Sequence, residues 1–162
     1  MHPCKPFAAY ALAVLAAAAA AQPQDAKKAR DRLTGDAAGA AAHNPQCKLF
    51  TPAEAGQYIG EPVAAGQNAA MGSGCQWAAK GDGGDVLVQV VPANYFTPPS
   101  LAKGYKALTS IGSKAYVVPE MGGWVAGALV GTEGVVVSVA GKAASETQAV
   151  ALLRETLKRR KP

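Results

Sequence analysis

The sequence predicts an α+β domain in which an antiparallel five-stranded sheet is packed by an N-terminal helix and a long C-terminal helix, an α/β sandwich. Three observations predict it. Two capping boxes, Thr51 with Glu54 and Ser145 with Gln148, bracket the region as helix starts. Between them, short Val-rich segments alternate with Gly-rich turns of hairpin length, which require antiparallel pairing. Cys47 and Cys75 stand at the first helix and the first strand, where a covalent link would staple one to the other.

The elements follow in order. Thr51-Pro52-Ala53-Glu54 places Pro at the first helical position, and Gly60 followed by Pro62 stops a short helix over about 52 to 59. Cys75 and Trp77 share one face of a strand by their spacing of two, and Gly81-Asp82-Gly83-Gly84 turns the chain into a second strand, Val86 to Val91. Ser100 to Leu108, between Pro98-Pro99 and Gly112, reads as a second short helix interrupted by Gly104. Three strands are expected next, Lys114 to Val118, Gly123 to Val130 and Val135 to Ala140, as a meander. Ala149, Val150, Leu153 and Leu157 then form the apolar stripe of a helix running to about Arg160.

At 162 residues the chain has room for one folded domain. Lys5 precedes the apolar run Phe7 to Ala21, and Ala19-Ala20-Ala21 supplies small residues for cleavage, so residues 1–21 read as a signal peptide. An uncleaved anchor is the alternative, but these 15 Ala-rich residues fall short of the ~20 needed to span hydrocarbon. Residues 22–46 hold one large aliphatic, Leu33, among Ala, Gly, Gln and mixed charges, and read as a flexible linker. Residues 47–160 form the domain. A periplasmic or secreted location follows, with no transmembrane span in the mature form.

Net charge is +5, but its placement matters more. Residues 47–153 are about neutral, whereas residues 154–162 carry five bases against one acid, ending in Lys158, Arg159, Arg160 and Lys161. A neutral fold with a cationic end argues against a nucleic-acid partner, which needs a basic face. Cations at a helix C-terminus favour its dipole, and they also suit docking on an anionic surface polymer or lipid.

With Cys4 removed along with the signal, Cys47 and Cys75 remain, and an exported pair reads as a disulfide. It closes a loop of about 29 residues, a constraint of roughly 3 to 4 kcal/mol. A thiol nucleophile or zinc site lacks partners, since His43 is the one His left.

The segment Cys47-Lys48-Leu49-Phe50-Thr51-Pro52-Ala53-Glu54-Ala55, then Ile59-Gly60-Glu61-Pro62 and Cys75-Gln76-Trp77, resembles the opening of a domain of unknown function found in small exported bacterial proteins, many of them actinobacterial lipoproteins. Gly112-Ser113-Lys114-Ala115-Tyr116 and the Val-rich hairpin before the last helix are similar as well, so the resemblance covers about 47 to 158. It implies an α/β sandwich with Cys47 paired to Cys75, and no activity. Those lipoproteins carry an acylated Cys after the signal, which this chain lacks.

No enzyme is expected. A Gly-x-Ser-x-Gly elbow and a phosphate-binding loop are both missing, no cofactor is implied, and Gly81-Asp82-Gly83-Gly84-Asp85 is one turn without the repeated ligands of a calcium site. Glu54, Glu61, Asp82, Asp85, Glu120 and Glu133 leave a hydrolase using surface carboxylates as the thinnest alternative. Trp77 should pack on the disulfide. Tyr95 and Phe96, in a Pro-bounded loop, either staple that loop to the core or line a binding groove, and Met121 and Trp124 pose the same choice. The expected function is a non-catalytic binding or envelope-accessory domain for an envelope protein or a small apolar ligand, with docking through the basic tail as the alternative.

Overall fold

The computed structural model describes residues 41–81, 83–112 and 114–160. The signal-peptide reading, most of the linker, and Lys161 lie outside the described residues. Among the described residues, two α-helices and seven strands follow a pair of short 3-10 turns, Ala41–His43 and Pro45–Lys48. Helix α1 spans Pro52–Gln57 and helix α2 spans Glu146–Arg159. The strands are β1 Gln67–Ala69, β2 Gly74–Ala78, β3 Asp85–Pro92, β4 Lys106–Ala107, β5 Tyr116–Glu120, β6 Gly123–Val130 and β7 Glu133–Ala140.

These strands form one antiparallel sheet in the order β1-β2-β3-β7-β6-β5-β4. The expectation of five strands between an N-terminal and a C-terminal helix is therefore corrected to seven strands with one long C-terminal helix. Helix α1 has six residues, too few to cover a sheet. Strands β1 and β4 are three and two residues long, Gln-Asn-Ala and Lys-Ala, without the β-branched alternation that marks a strand in sequence. The helix expected over Ser100 to Leu108 does not form. Gly104 instead takes φ +81, close enough to Pro119 that a Cβ would meet its ring at 2.7 Å, and Lys106–Ala107 pairs with Val117 and Tyr116. Strand pairing thereby overrides a weak helical pattern.

The Thr51 capping box closes in both directions, whereas at Ser145 only the N-cap half forms. Thr51 Oγ1 accepts from the Glu54 amide at 3.3 Å, while Glu54 Oε2 accepts from the Thr51 amide at 2.8 Å. Ser145 Oγ accepts from the Gln148 amide at 3.3 Å. On α2 the fully buried residues are Ala149, Leu152, Leu153 and Thr156, with Val150 and Leu157 on the margins.

Alternation along the strands gives the sheet two different faces. Trp77, Val86, Val88, Val117, Ala126, Ala128, Val135, Val137 and Val139 point to the helix side and form the main core with Leu152, Leu153, Phe50, Ile59 and Val63. The other face carries a smaller cluster of Phe96, Tyr116 and Val118, flanked by Val91, Tyr105, Val125, Leu129 and Val136. Here the β3–β4 connection crosses the sheet. Phe96 occupies the space above Gly134 and Gly127, where no Cβ fits beside the Phe96 and Tyr116 rings, and Tyr105 stacks on Tyr116 with centroids 5.9 Å apart.

Residues ahead of Cys47 also take part in the fold. Asn44 is buried, and its side-chain amide donates to Asn68 Oδ1 at 2.7 Å and to the Gly74 carbonyl at 2.9 Å, while its Oδ1 accepts from the Gln46 amide at 2.9 Å. A stretch that composition marks as linker thus ties the N-terminal turns to β1 and β2.

Candidate functional site

Cys47 and Cys75 are joined by a disulfide with Cα atoms 5.1 Å apart. Cys75 is fully buried beside Trp77, and Gly66 lies so close over both that a Cβ there would meet Cys75 Sγ at 2.7 Å and Trp77 Nε1 at 2.8 Å. With Cys75 fully buried and Cys47 partly buried against the core, this bond is a structural staple.

The four side chains considered for binding do not share a surface. Phe96 is buried on the open sheet face, and Trp124 is half-buried against the helix-side core. Tyr95 and Met121 are exposed, but at opposite ends of β7. The Ala93 amide donates to the Thr132 carbonyl before β7, and the Gly141 amide donates to the Gly122 carbonyl after it. At 3.3 to 3.4 Å per residue those ends are separated by about 23 Å.

Two of the basic tail residues are committed inside the fold. Arg159 donates to the Leu49 carbonyl at 2.6 Å, to Glu54 Oε1 at 2.9 Å and to Glu155 Oε1 at 2.8 Å, with its guanidinium 4.5 Å from the centre of the Phe50 ring. That fork holds the Glu54 carboxyl down to about 2, assisted by the Thr51 amide and hydroxyl, and lowers Glu155 as well. Arg160 pairs with Glu133 at 2.8 Å. Lys158 is left exposed, 3.5 Å from Glu155. These pairs also occupy Glu54 and Glu133, and Asp85 accepts a hydrogen bond from Gln76, so three of the scattered carboxylates serve the fold.

Glu61 differs. Four connections meet at one end of the sheet: Gly60 to Pro62 after α1, the β2–β3 turn, the β5–β6 turn at Gly122, and Gly141-Lys142 before α2. Backbone hydrogen bonds knit them together, with Lys80 donating to the Pro62 carbonyl at 2.9 Å, Ala79 to that of Gly84 at 2.8 Å, and Gly141 to that of Gly122 at 3.2 Å. The Glu61 amide donates to the Gly56 carbonyl at 3.2 Å, which fixes where the residue leaves the helix. Among these turns lies a cavity of about 500 Å³ lined by Glu61, Gly81, Gly83, Gly122, Gly141 and Lys142. Glu61 is half-buried. Among the described residues its carboxylate accepts no hydrogen bond and has no ion-pair partner. No group of three His, Cys, Asp or Glu side chains able to hold a metal occurs among the described residues either.

The chain matches no family model, no curated protein and no solved structure. Among the described residues no helix is long and apolar enough to cross a membrane.

Sequence reading included Glu61 among the acids and Gly81 to Gly84 as a turn, but nothing in their spacing brought Gly122, Gly141 and Lys142 beside them. Only the β7–β6 and β7–β3 pairings do that. The signal that was present is compositional: every one of these connections carries glycine.

Proposed function

We propose that this protein is an exported, disulfide-stapled domain that works by binding a small ligand, without covalent chemistry, at the turn end of its sheet. The observation that carries the reading is the Glu61 carboxylate, half-buried on a cavity of about 500 Å³ with no protein partner among the described residues. Folded chains ordinarily supply a carboxylate's partner themselves, as this one does for Glu54, Glu133 and Glu155, whereas the Glu61 oxygens keep contact with solvent and have no such partner among the described residues. A carboxylate left open on a concave surface is available to something from outside. The volume falls in the range of small-molecule sites.

A periplasmic or secreted location is supported by the disulfide, which persists in an oxidising compartment, and by the apolar N-terminal run. An accessory role in the envelope suits a fold whose described acids mostly serve its own contacts. The test is a titration of the exported, ¹⁵N-labelled chain with a panel of envelope chemistries, namely short peptides, sugars, fatty acids and anionic phospholipid vesicles. One class should move the amides of Gly81, Gly83, Gly122 and Gly141 in a saturable way. Shifts confined to residues around Tyr95, or to the end of α2, would move the site elsewhere; a silent panel would remove the binding reading.

A further inference from the structure

We infer that the Glu61 cavity accepts a small zwitterion, a short peptide or amino-acid-like molecule whose primary ammonium meets Glu61 and whose anionic end meets Lys142; this rests on the binding reading above. Three observations converge. Glu61 presents a solvent-reached carboxylate with no partner among the described residues, and a single carboxylate suits an ammonium better than a divalent cation, which takes six or more oxygen ligands. Lys142 lines the same cavity, yet it forms no ion pair with Glu61 or with any other described acid. Lys142 is exposed, so an acid and an amine that share a cavity without pairing are both open to a ligand carrying the opposite charges at its two ends.

The third observation is the glycine wall. Gly83, Gly122 and Gly141 have φ of +96, +81 and +129, so turn geometry alone accounts for them. Gly81 and Gly84 do not lie in that region. At Gly84 a Cβ would come within 2.7 Å of Glu61 Oε1 and 2.8 Å of the Ala140 carbonyl, so glycine there makes room for the carboxylate. At Gly81 a Cβ would sit 3.4 Å from Glu61 Oε2, an ordinary contact that the fold tolerates. Glycine at 81 therefore serves the open space beside the carboxylate rather than the turn. A neutral ligand would engage neither charge, an anion would leave Glu61 unused, and a simple cation would leave Lys142 unused.

The experiment uses the exported chain with three probes, tri-alanine, N-acetyl-tri-alanine and tri-alanine amide, read by the amide shifts of Gly81, Gly83, Gly122 and Gly141. Tri-alanine should bind saturably, and capping either end should weaken it at least tenfold. Glu61→Gln should abolish the preference for a free amino terminus while leaving the preference for a free carboxylate; Lys142→Gln should do the reverse. Gly81→Ala should weaken tri-alanine with unchanged thermal stability. The inference is overturned if N-acetyl-tri-alanine binds as well as tri-alanine, or if Glu61→Gln, shown to be folded by its melting curve, binds all three probes as the parent does. Failure of tri-alanine to move these amides while another class in the panel moves them removes the zwitterion and keeps the binding site. If nothing moves them, both fall.

Discussion

Arg159 shows how much one side chain near a terminus contributes to this fold. Its guanidinium reaches the Leu49 carbonyl, two carboxylates and the Phe50 ring, which itself packs edge-on against Trp77 with centroids 6.0 Å apart. Arg159→Ala should therefore lower stability by about 1 kcal/mol, since each contact is partly exposed and individually weak; a urea midpoint reads it. The Glu54 arm has a pH signature. Its carboxyl titrates near 2 in the folded state against an ordinary 4.5, so its stabilising effect is complete above about pH 4.5 and is lost as the pH falls toward 2. Glu54→Gln should then lower the melting temperature at pH 7 and converge with the parent near pH 2. Parallel melting curves at every pH would show that Arg159 does not favour the ionised form.

Element-level behaviour follows from how each strand is flanked. Strands β3, β7 and β6 lie at the centre of the sheet with partners on both sides, whereas β1 and β4 are its short edges. Amide hydrogen exchange should be slowest across Val86 to Val88 and Val135 to Val139, and fast in Gln67–Ala69 and Lys106–Ala107. The crossing β3–β4 connection is held by two aromatic contacts, Phe96 over the glycines and Tyr105 stacked on Tyr116. Phe96 is 6% exposed over two glycines, so Phe96→Ala should cost about 3 kcal/mol, and Gly134→Ala about 1 to 3 kcal/mol by displacing the same ring. If neither variant shifts the denaturation midpoint, the second cluster contributes little and the connection is held by its backbone alone. Tyr95, one residue earlier and 74% exposed, should be neutral on truncation.

Across the whole molecule, the Cys47–Cys75 bond links the N-terminal turns to β2, while β3 and β7, distant from each other in the chain, join two meanders into one sheet. Reduction, or replacement of both Cys by Ala, should cost roughly 2 to 5 kcal/mol, measured as a drop in the urea midpoint under reducing conditions. Thiol titration of the denatured, unreduced chain should find neither Cys47 nor Cys75 reactive; two free thiols there would contradict the bond.

The sequence by itself determined the features whose information is local. Thr51 with Glu54 and Ser145 with Gln148 announce both helix starts, because a cap is satisfied within three residues of itself. Gly123–Val130 was legible as a strand, and the next began two residues before its expected Val135, because period-two alternation of Val and small residues is written along the strand. The cysteine pair was legible from its count and spacing. Tertiary structure alone decided which strands are neighbours, that Gln67–Ala69 and Lys106–Ala107 are strands at all, that Phe96 is buried while Tyr95 is not, and that Glu61 shares a cavity with Lys142. The physical reason is range. Two- and three-residue strands carry no periodicity, pairing is chosen by apolar area buried between distant segments, and a site built from four separate turns exists only once that pairing has brought them to one end of the sheet.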